Sequence, residues 1–293
     1  MVKSQSLFFK AKDGLRLHVR EYGTAQAHRL PILCLPGLAR TAADFDTLAT
    51  YLADEMSPSP RHVFAFDYRG RGLSDRDPDW RHYDLMIENK DVLDICDQLA
   101  IAQAIVIGTS RGGLHALLMS MTRPSLLRAA VLNDIGPVIE TKGMARIRGY
   151  IGQLPQFASY AQAITAFKAI MGPTFPGLSE ADWQAYAQLT LEQTDTGLIS
   201  RYDPALLNTL KDLDLDKPLP DLWPQFAALA KIPLLVMRGE FSDLLSQETV
   251  DQMVKRHPNC QAYQVAGQGH APLLQDQDSL ERIKQFVKMA DPV

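Results

Sequence analysis

Gly108-Thr109-Ser110-Arg111-Gly112 directly follows the apolar run Ala104-Ile105-Val106-Ile107, so that a serine stands between two glycines at the end of a strand. Downstream, Leu114, Leu117, Leu118 and Met121 recur at three- and four-residue spacing, which is the mark of a helix with one buried stripe. A strand that turns into a helix over a single residue must hold that residue in a strained backbone conformation. Side chains two positions before and after it would keep strand and helix from approaching. The pattern therefore commits the chain to a strand-turn-helix unit with the Ser110 hydroxyl standing above a sheet edge.

The rest of the chain supplies a sheet for that unit. Leu15, Leu17 and Val19 alternate with polar residues, Pro31 to Leu35 is continuously apolar, and His62 to Phe66 runs apolar up to Asp67. After the helix come Ala129 to Leu132, closing at Asn133-Asp134, then Ile232 to Met237 and Cys260 to Val265 as the last two strands. Helices fall between them: Phe45, Leu48 and Leu52 with a cap at Thr41 or Asp44, then Leu85, Val92, Cys96 and Leu99, and a helix around Thr249 to His257. Leu280, Ile283, Phe286 and Val287 line a final one. Strands alternating with helices imply a largely parallel sheet. Between about 137 and 224 strand-like alternation is missing, while Tyr150, Phe157, Tyr160, Phe167, Trp183, Tyr186 and Trp223 accumulate among prolines. The expectation is an α/β fold with a core from 1–136 and 225–293 and a helical cap over 137–224.

With 293 residues, 46% of them hydrophobic, the chain can bury a full core. A net charge of -4 and no run of like charges leave no electrostatic reason to expect nucleic acid. The short Leu7-Phe8-Phe9 cluster is too brief for a signal peptide's apolar core, and no segment is long enough to span a bilayer. A cytoplasmic protein acting on a small molecule, without a membrane or nucleic-acid partner, is expected; oligomeric state cannot be read. The three cysteines, Cys34, Cys96 and Cys260, have neither metal spacing nor a disulfide framework and read as reduced, buried thiols.

A serine hydroxyl needs a positioned base to attack a carbonyl, and the base needs an acid to orient it. His270, in Gly267-Gln268-Gly269-His270-Ala271-Pro272, is the histidine that sits in a glycine-rich loop after a strand. His18, His28, His62, His82 and His257 read as structural, and His115 lies inside the helix, pointing away from the serine. Two carboxylates fall at strand ends, Asp243 in Arg238-Gly239-Glu240-Phe241-Ser242-Asp243 and Asp134 in Asn133-Asp134-Ile135-Gly136-Pro137. Asp243 is the leading expectation, one strand before the His270 loop. Asp134 keeps the same chain order but also reads as a turn residue. Glu240 suits a surface ion pair. Backbone N–H groups of Arg111, after the nucleophile, and Leu38, in the Leu35-Pro36-Gly37-Leu38 turn, are the expected oxyanion donors.

Five segments in order, Leu35 to Leu38, Phe66-Asp67-Tyr68-Arg69-Gly70-Arg71-Gly72-Leu73-Ser74-Asp75, the Ser110 turn, Gly239 to Asp243, and Gly269 to Pro272, resemble the capped members of the α/β-hydrolase fold superfamily. The resemblance spans nearly the whole chain and implies a mostly parallel eight-stranded sheet with the cap inserted after the sixth strand. It also implies Ser110 as nucleophile, Asp243 as acid, His270 as base, and Leu38 and Arg111 as oxyanion donors. Pro36 departs from the histidine many relatives carry there, and the Asp67 to Asp75 motif is expected to be structural. Epoxide hydrolases and haloalkane dehalogenases share that motif but use an aspartate nucleophile, which Ser110 excludes. Hydrolysis of a carboxylic ester or lactone, with no cofactor or metal, is the leading expectation. Carbon-carbon bond hydrolysis of vinylogous diketones, acyl transfer, and a non-catalytic binding protein of the same fold are the alternatives. Met144, Arg146 and Arg148 stand just inside the cap, where an arginine either meets substrate or lies on a solvated face.

Overall fold

The computed structural model describes residues 3–57 and 59–291. Eight strands form one sheet, β1 (Gln5–Lys10), β2 (Arg16–Tyr22), β3 (Ile32–Leu35), β4 (Val63–Asp67), β5 (Ala104–Thr109), β6 (Leu127–Asn133), β9 (Leu234–Gly239) and β10 (Cys260–Val265), in the order β1-β2-β4-β3-β5-β6-β9-β10. From β4 onward the pairs are parallel, while β1 and β2 add antiparallel at one edge. Sequence reasoning misses β1, because its Leu7-Phe8-Phe9 run shows no clean alternation and the strand is half exposed.

Strands β3 and β5 are buried along both faces, as crossover helices on either side require. Successive residues divide between two cores. Leu33, Leu35, Val106 and Leu132 meet α2 (Leu85–Gln98) and α3 (Arg111–Thr122) on one face; Ile32, Cys34, Ile107 and Val131 meet α1 (Asp46–Ala53) and α10 (Gln277–Met289) on the other. The cap expected for α1 is displaced: a 3-10 turn, Ala42–Phe45, precedes the helix, Thr41 makes no side-chain cap, and Asp44 is bound elsewhere.

Between β6 and β9 lie α4 (Thr141–Tyr150), α5 (Tyr160–Met171), α6 (Glu180–Thr190), α7 (Asn208–Lys211) and α8 (Trp223–Ala228). The segment is not all helix. Leu191–Thr194 (β7) and Gly197–Ser200 (β8) pair as an antiparallel hairpin, too short to show alternation. Its aromatics form a third core, in which Phe167 and Tyr186 meet edge to face at 5.3 Å. The remaining helix, α9 (Gln247–Arg256), joins β9 to β10.

The turn between β5 and α3 shows why its glycines are there. A Cβ on Gly112 would stand 1.9 Å from the Leu35 carbonyl oxygen, and one on Gly108 2.4 Å from the Gly112 backbone. Ser110 between them has φ 51° and ψ -113°. Its N–H is pinned by the Asn133 carbonyl at 2.9 Å, so β6 fixes the turn from the side.

Candidate active site

Ser110 Oγ lies 2.9 Å from His270 Nε2, and His270 Nδ1 lies 2.8 Å from Asp134 Oδ2. A carboxylate can only accept, so the proton on the ring belongs to Nδ1, which leaves Nε2 to accept from the serine hydroxyl. Asp134 is fully buried at the end of β6, with φ 57°, a left-handed conformation that aspartate tolerates better than most residues. Gly239 N–H donates to its Oδ1 at 2.7 Å, and the Ser242 hydroxyl donates to its Oδ2 at 2.6 Å. Three donors converge on one buried carboxylate, which satisfies it without a cation.

The structure therefore corrects the leading expectation for the acid. Asp243 makes no hydrogen bond to the histidine, whose Nδ1 is taken by Asp134. The two Asp243 oxygens receive Arg146 Nε and Nη2 of α4 at 2.6 and 2.9 Å, a bidentate pair between the insertion and the loop after β9. Burial pushes the Asp243 pKa up, but Arg146 more than offsets it and holds the carboxyl below its ordinary range. Asp134, weighed as a turn residue, takes the place instead. Both carboxylates end neighbouring strands, so chain order alone could not separate them; the deciding signal is Arg146, a partner distant in sequence. Ser242, which sequence reasoning passes over, supplies a donor from the very motif expected to supply the acid. Arg146 meets a core carboxylate, while Arg148 caps the Leu213 carbonyl at 2.9 Å.

Leu38 and Ser110 border the same cavity, and a Cβ on Gly37 would come within 3.8 Å of Ser110 Cβ. The turn holding Leu38 is fastened through its carbonyls. Tyr68 Oη donates to the Pro36 oxygen at 3.2 Å and Arg71 Nε to the Leu38 oxygen at 2.9 Å. Arg111 is the first residue of α3, where a backbone N–H has no acceptor one turn earlier. Its side chain is drawn away, donating to Glu88 at 2.6 Å and to the Tyr83 carbonyl at 3.0 Å. Glu88 is completely buried and also binds Arg71 Nη1 at 2.5 Å. Burial raises its pKa, yet Arg111 and Arg71 more than offset that and hold it well below the carboxylate range.

The Asp67 to Asp75 stretch does not line the cavity itself but braces the turn that does, through Tyr68 and Arg71. Asp67 accepts from His18 Nδ1, Ala42 N–H and Leu73 N–H at 2.7, 2.6 and 3.0 Å. His62, His82 and His257 likewise meet Glu21, Asp77 and the Leu229 carbonyl. His115 is buried beside Tyr68 at 4.7 Å between ring centroids, away from Ser110. All three cysteines are free, and burial pushes the Cys96 and Cys260 thiols up to about 12, far from a reactive thiolate. Among the described residues Asp13, Asp77 and His82 converge closely enough to hold a metal ion. Arg69 pairs with both aspartates at 2.8 and 2.6 Å, so a guanidinium already supplies the positive charge there. No helix among the described residues is long and apolar enough to cross a membrane.

A serine on a sheet-edge turn, with a histidine and a buried carboxylate aligned behind it, on this strand order, defines a hydrolase of serine type. Residues 32–282 match the Alpha/beta hydrolase family, and the chain belongs to that family. It is an enzyme, similar to the 3-hydroxybutyrate-oligomer hydrolase of Cupriavidus necator, with 29% identity over 92% of both chains. It is also similar to the 2-(acetamidomethylene)succinate hydrolase of Mesorhizobium japonicum, with 26% identity over 87% of this chain and 85% of that one. The crystal structure of an alpha/beta hydrolase from Novosphingobium aromaticivorans superposes with a TM-score of 0.90 at 37% identity, covering 98% of this chain and 99% of the other.

Proposed function

We propose that the protein hydrolyses a carboxylic ester through an acyl-enzyme on Ser110, with His270 as base and Asp134 as the acid that orients it. The observation that carries this reading is the unbroken chain from Ser110 Oγ through the imidazole to Asp134, at 2.9 and 2.8 Å. Ser110 Oγ bonds to the carbonyl carbon as His270 Nε2 takes its proton, and the carbonyl electron pair moves onto oxygen. The N–H groups of Leu38 and Arg111 receive that oxyanion, each worth about 3 kcal/mol to the transition state. The tetrahedral adduct collapses, the alcohol leaves with the proton from His270, and a water activated by the same nitrogen releases the acid. General-base assistance contributes on the order of 10²- to 10⁴-fold.

Support for an ester comes from the Cupriavidus necator relative, whose name gives an oligomer of a hydroxy acid as substrate and which aligns over 92% of this chain. The cavity above Ser110 is lined mostly by apolar side chains, among them Ile147, Leu154, Phe167 and Met171, which suits an acyl chain beyond the reacting carbonyl. The residues from 137 to 224 act as the cap that closes it. A fluorophosphonate probe followed by intact-mass analysis should label Ser110 in folded protein. A panel of short and medium acyl esters, lactones and vinylogous 1,5-diketones then tests the bond cleaved. Absence of labelling would remove the acyl-enzyme, and preference for the diketones would replace the ester with carbon-carbon cleavage.

A further inference from the structure

Arg40 is a cation built into an otherwise largely apolar cavity. Ile147, Leu154, Phe167, Ile170 and Met171 line the same space, and Arg40 lines it together with Asp44 and Thr190. The guanidinium is held on three sides. Nε and Nη2 donate to the two oxygens of Asp44 at 2.6 and 2.7 Å, Nη1 donates to Thr190 Oγ1 at 2.6 Å, and the Tyr186 ring lies under it at 4.4 Å. Burial opposes its charge, but Asp44 more than offsets this, and the group titrates above its ordinary range. Arg40 and Ser110 line the same cavity, and the root of the arginine side chain starts near the serine: a Cβ on Gly37 would stand 3.3 Å from Arg40 Cγ and 3.8 Å from Ser110 Cβ.

A guanidinium has five N–H donors, and three are used by Asp44 and Thr190. One N–H on each terminal nitrogen is left for another acceptor. Asp44 balances the charge of the pair, so the site offers directional donors without a net positive field, and its carboxylate stands beside any guest. A neutral oxygen gains a charge-assisted hydrogen bond there, whereas a free carboxylate meets Asp44 as well.

We propose that Arg40, presented by Asp44 and Thr190, selects substrates carrying an uncharged oxygen acceptor, a ketone, hydroxyl or second ester carbonyl, a few bonds from the scissile ester. This rests on the reading of Ser110 as nucleophile and adds the chemical class of the group beside the reacting carbonyl. A wholly aliphatic ester leaves the two donors without a partner once water is displaced, and a hydrocarbon offers nothing in return. Arg40 is thereby a specificity residue.

Matched esters test it in two series, with the variation placed first in the acyl chain and then in the alcohol. Each series holds an aliphatic member, its isostere with one methylene replaced by a ketone, and one ending in carboxylate. For the wild-type protein, kcat/KM for the oxo ester should exceed that for the aliphatic one by about tenfold or more in the series that faces Arg40. Arg40→Met should bring that ratio to about one, and Thr190→Val, which leaves the ion pair in place, should lower it partway. Asp44→Asn leaves the guanidinium uncompensated and should raise the carboxylate-to-aliphatic ratio by about tenfold. The same oxo-to-aliphatic ratio in wild type, Arg40→Met and Thr190→Val, in both series, overturns the proposal, as does an unchanged carboxylate ratio in Asp44→Asn. A wild-type protein that labels at Ser110 but shows no such preference refutes the role of Arg40 alone. One that neither labels nor turns over any ester refutes the reading beneath it.

Discussion

Replacing Asp134 by asparagine keeps the shape of the side chain and changes one atom from acceptor to donor, which makes it the sharpest test of the site. Asp134 accepts from Gly239 N–H through Oδ1 and from both Ser242 Oγ and His270 Nδ1 through Oδ2. An asparagine that keeps the bond to Gly239 must turn its NH₂ toward His270. The imidazole then accepts at Nδ1 and carries its proton on Nε2, the nitrogen 2.9 Å from the serine oxygen. In that tautomer it cannot take the serine proton. Loss of the correct tautomer costs roughly 10³- to 10⁴-fold in kcat, about 4 to 5.5 kcal/mol of barrier. Asp243→Asn breaks only the contact with Arg146 and should change kcat by less than about tenfold. Steady-state hydrolysis of p-nitrophenyl butyrate, with thermal unfolding to confirm folded variants, measures both. A folded Asp134→Asn protein retaining most of its kcat, beside an Asp243→Asn protein that has lost it, refutes the assignment and restores Asp243.

Ser242→Ala removes one donor from the Asp134 carboxylate and should lower kcat by about tenfold, with KM nearly unchanged in the same assay. Gly112→Ala puts a methyl group into the Leu35 carbonyl, 1.9 Å away, and should destabilise the protein by about 3 kcal/mol or more, seen as loss of soluble folded protein or a large fall in Tm. Glu88→Gln leaves Arg71 and Arg111 without their shared buried counter-charge and should cost about 3 to 5 kcal/mol in urea unfolding at neutral pH. Because the folded pKa of Glu88 is depressed, that stabilisation is present above the ordinary value of 4.5 and is lost as pH falls through the depressed value. The gap between wild type and Glu88→Gln should therefore narrow below about pH 4, and a gap that widened there would contradict the ion-pair account.

Much of this arrangement is legible in the chain because it rests on local chemistry. The glycines around Ser110 report a close backbone approach, and the apolar runs report strands buried on both faces. What stays hidden depends on partners far apart in sequence. Asp134 and Asp243 are told apart by partners distant in sequence, His270 on the first and Arg146 on the second, the latter arriving from a helix whose docking no local pattern encodes. The hairpin Leu191–Thr194 with Gly197–Ser200 escapes for a different reason: four-residue strands carry too few alternations to stand out from the neighbouring helices. Arg40 is invisible as a binding group until Asp44, Thr190 and Tyr186 are seen to fix its plane.

The position of Asp134 has a further consequence. It follows β6, and its oxygens hold Gly239 at the end of β9, the neighbouring parallel strand, and Ser242 just beyond it, so the carboxylate ties together the carboxyl ends of the two strands that the long insertion connects. The proposed reacting groups thus lie on the sheet frame, and the insertion meets that frame through further contacts such as Arg146 with Asp243. A lineage built on this plan is free to lengthen, shorten or exchange what lies over the cavity, and so to change diet, without rebuilding the cradle of its acid.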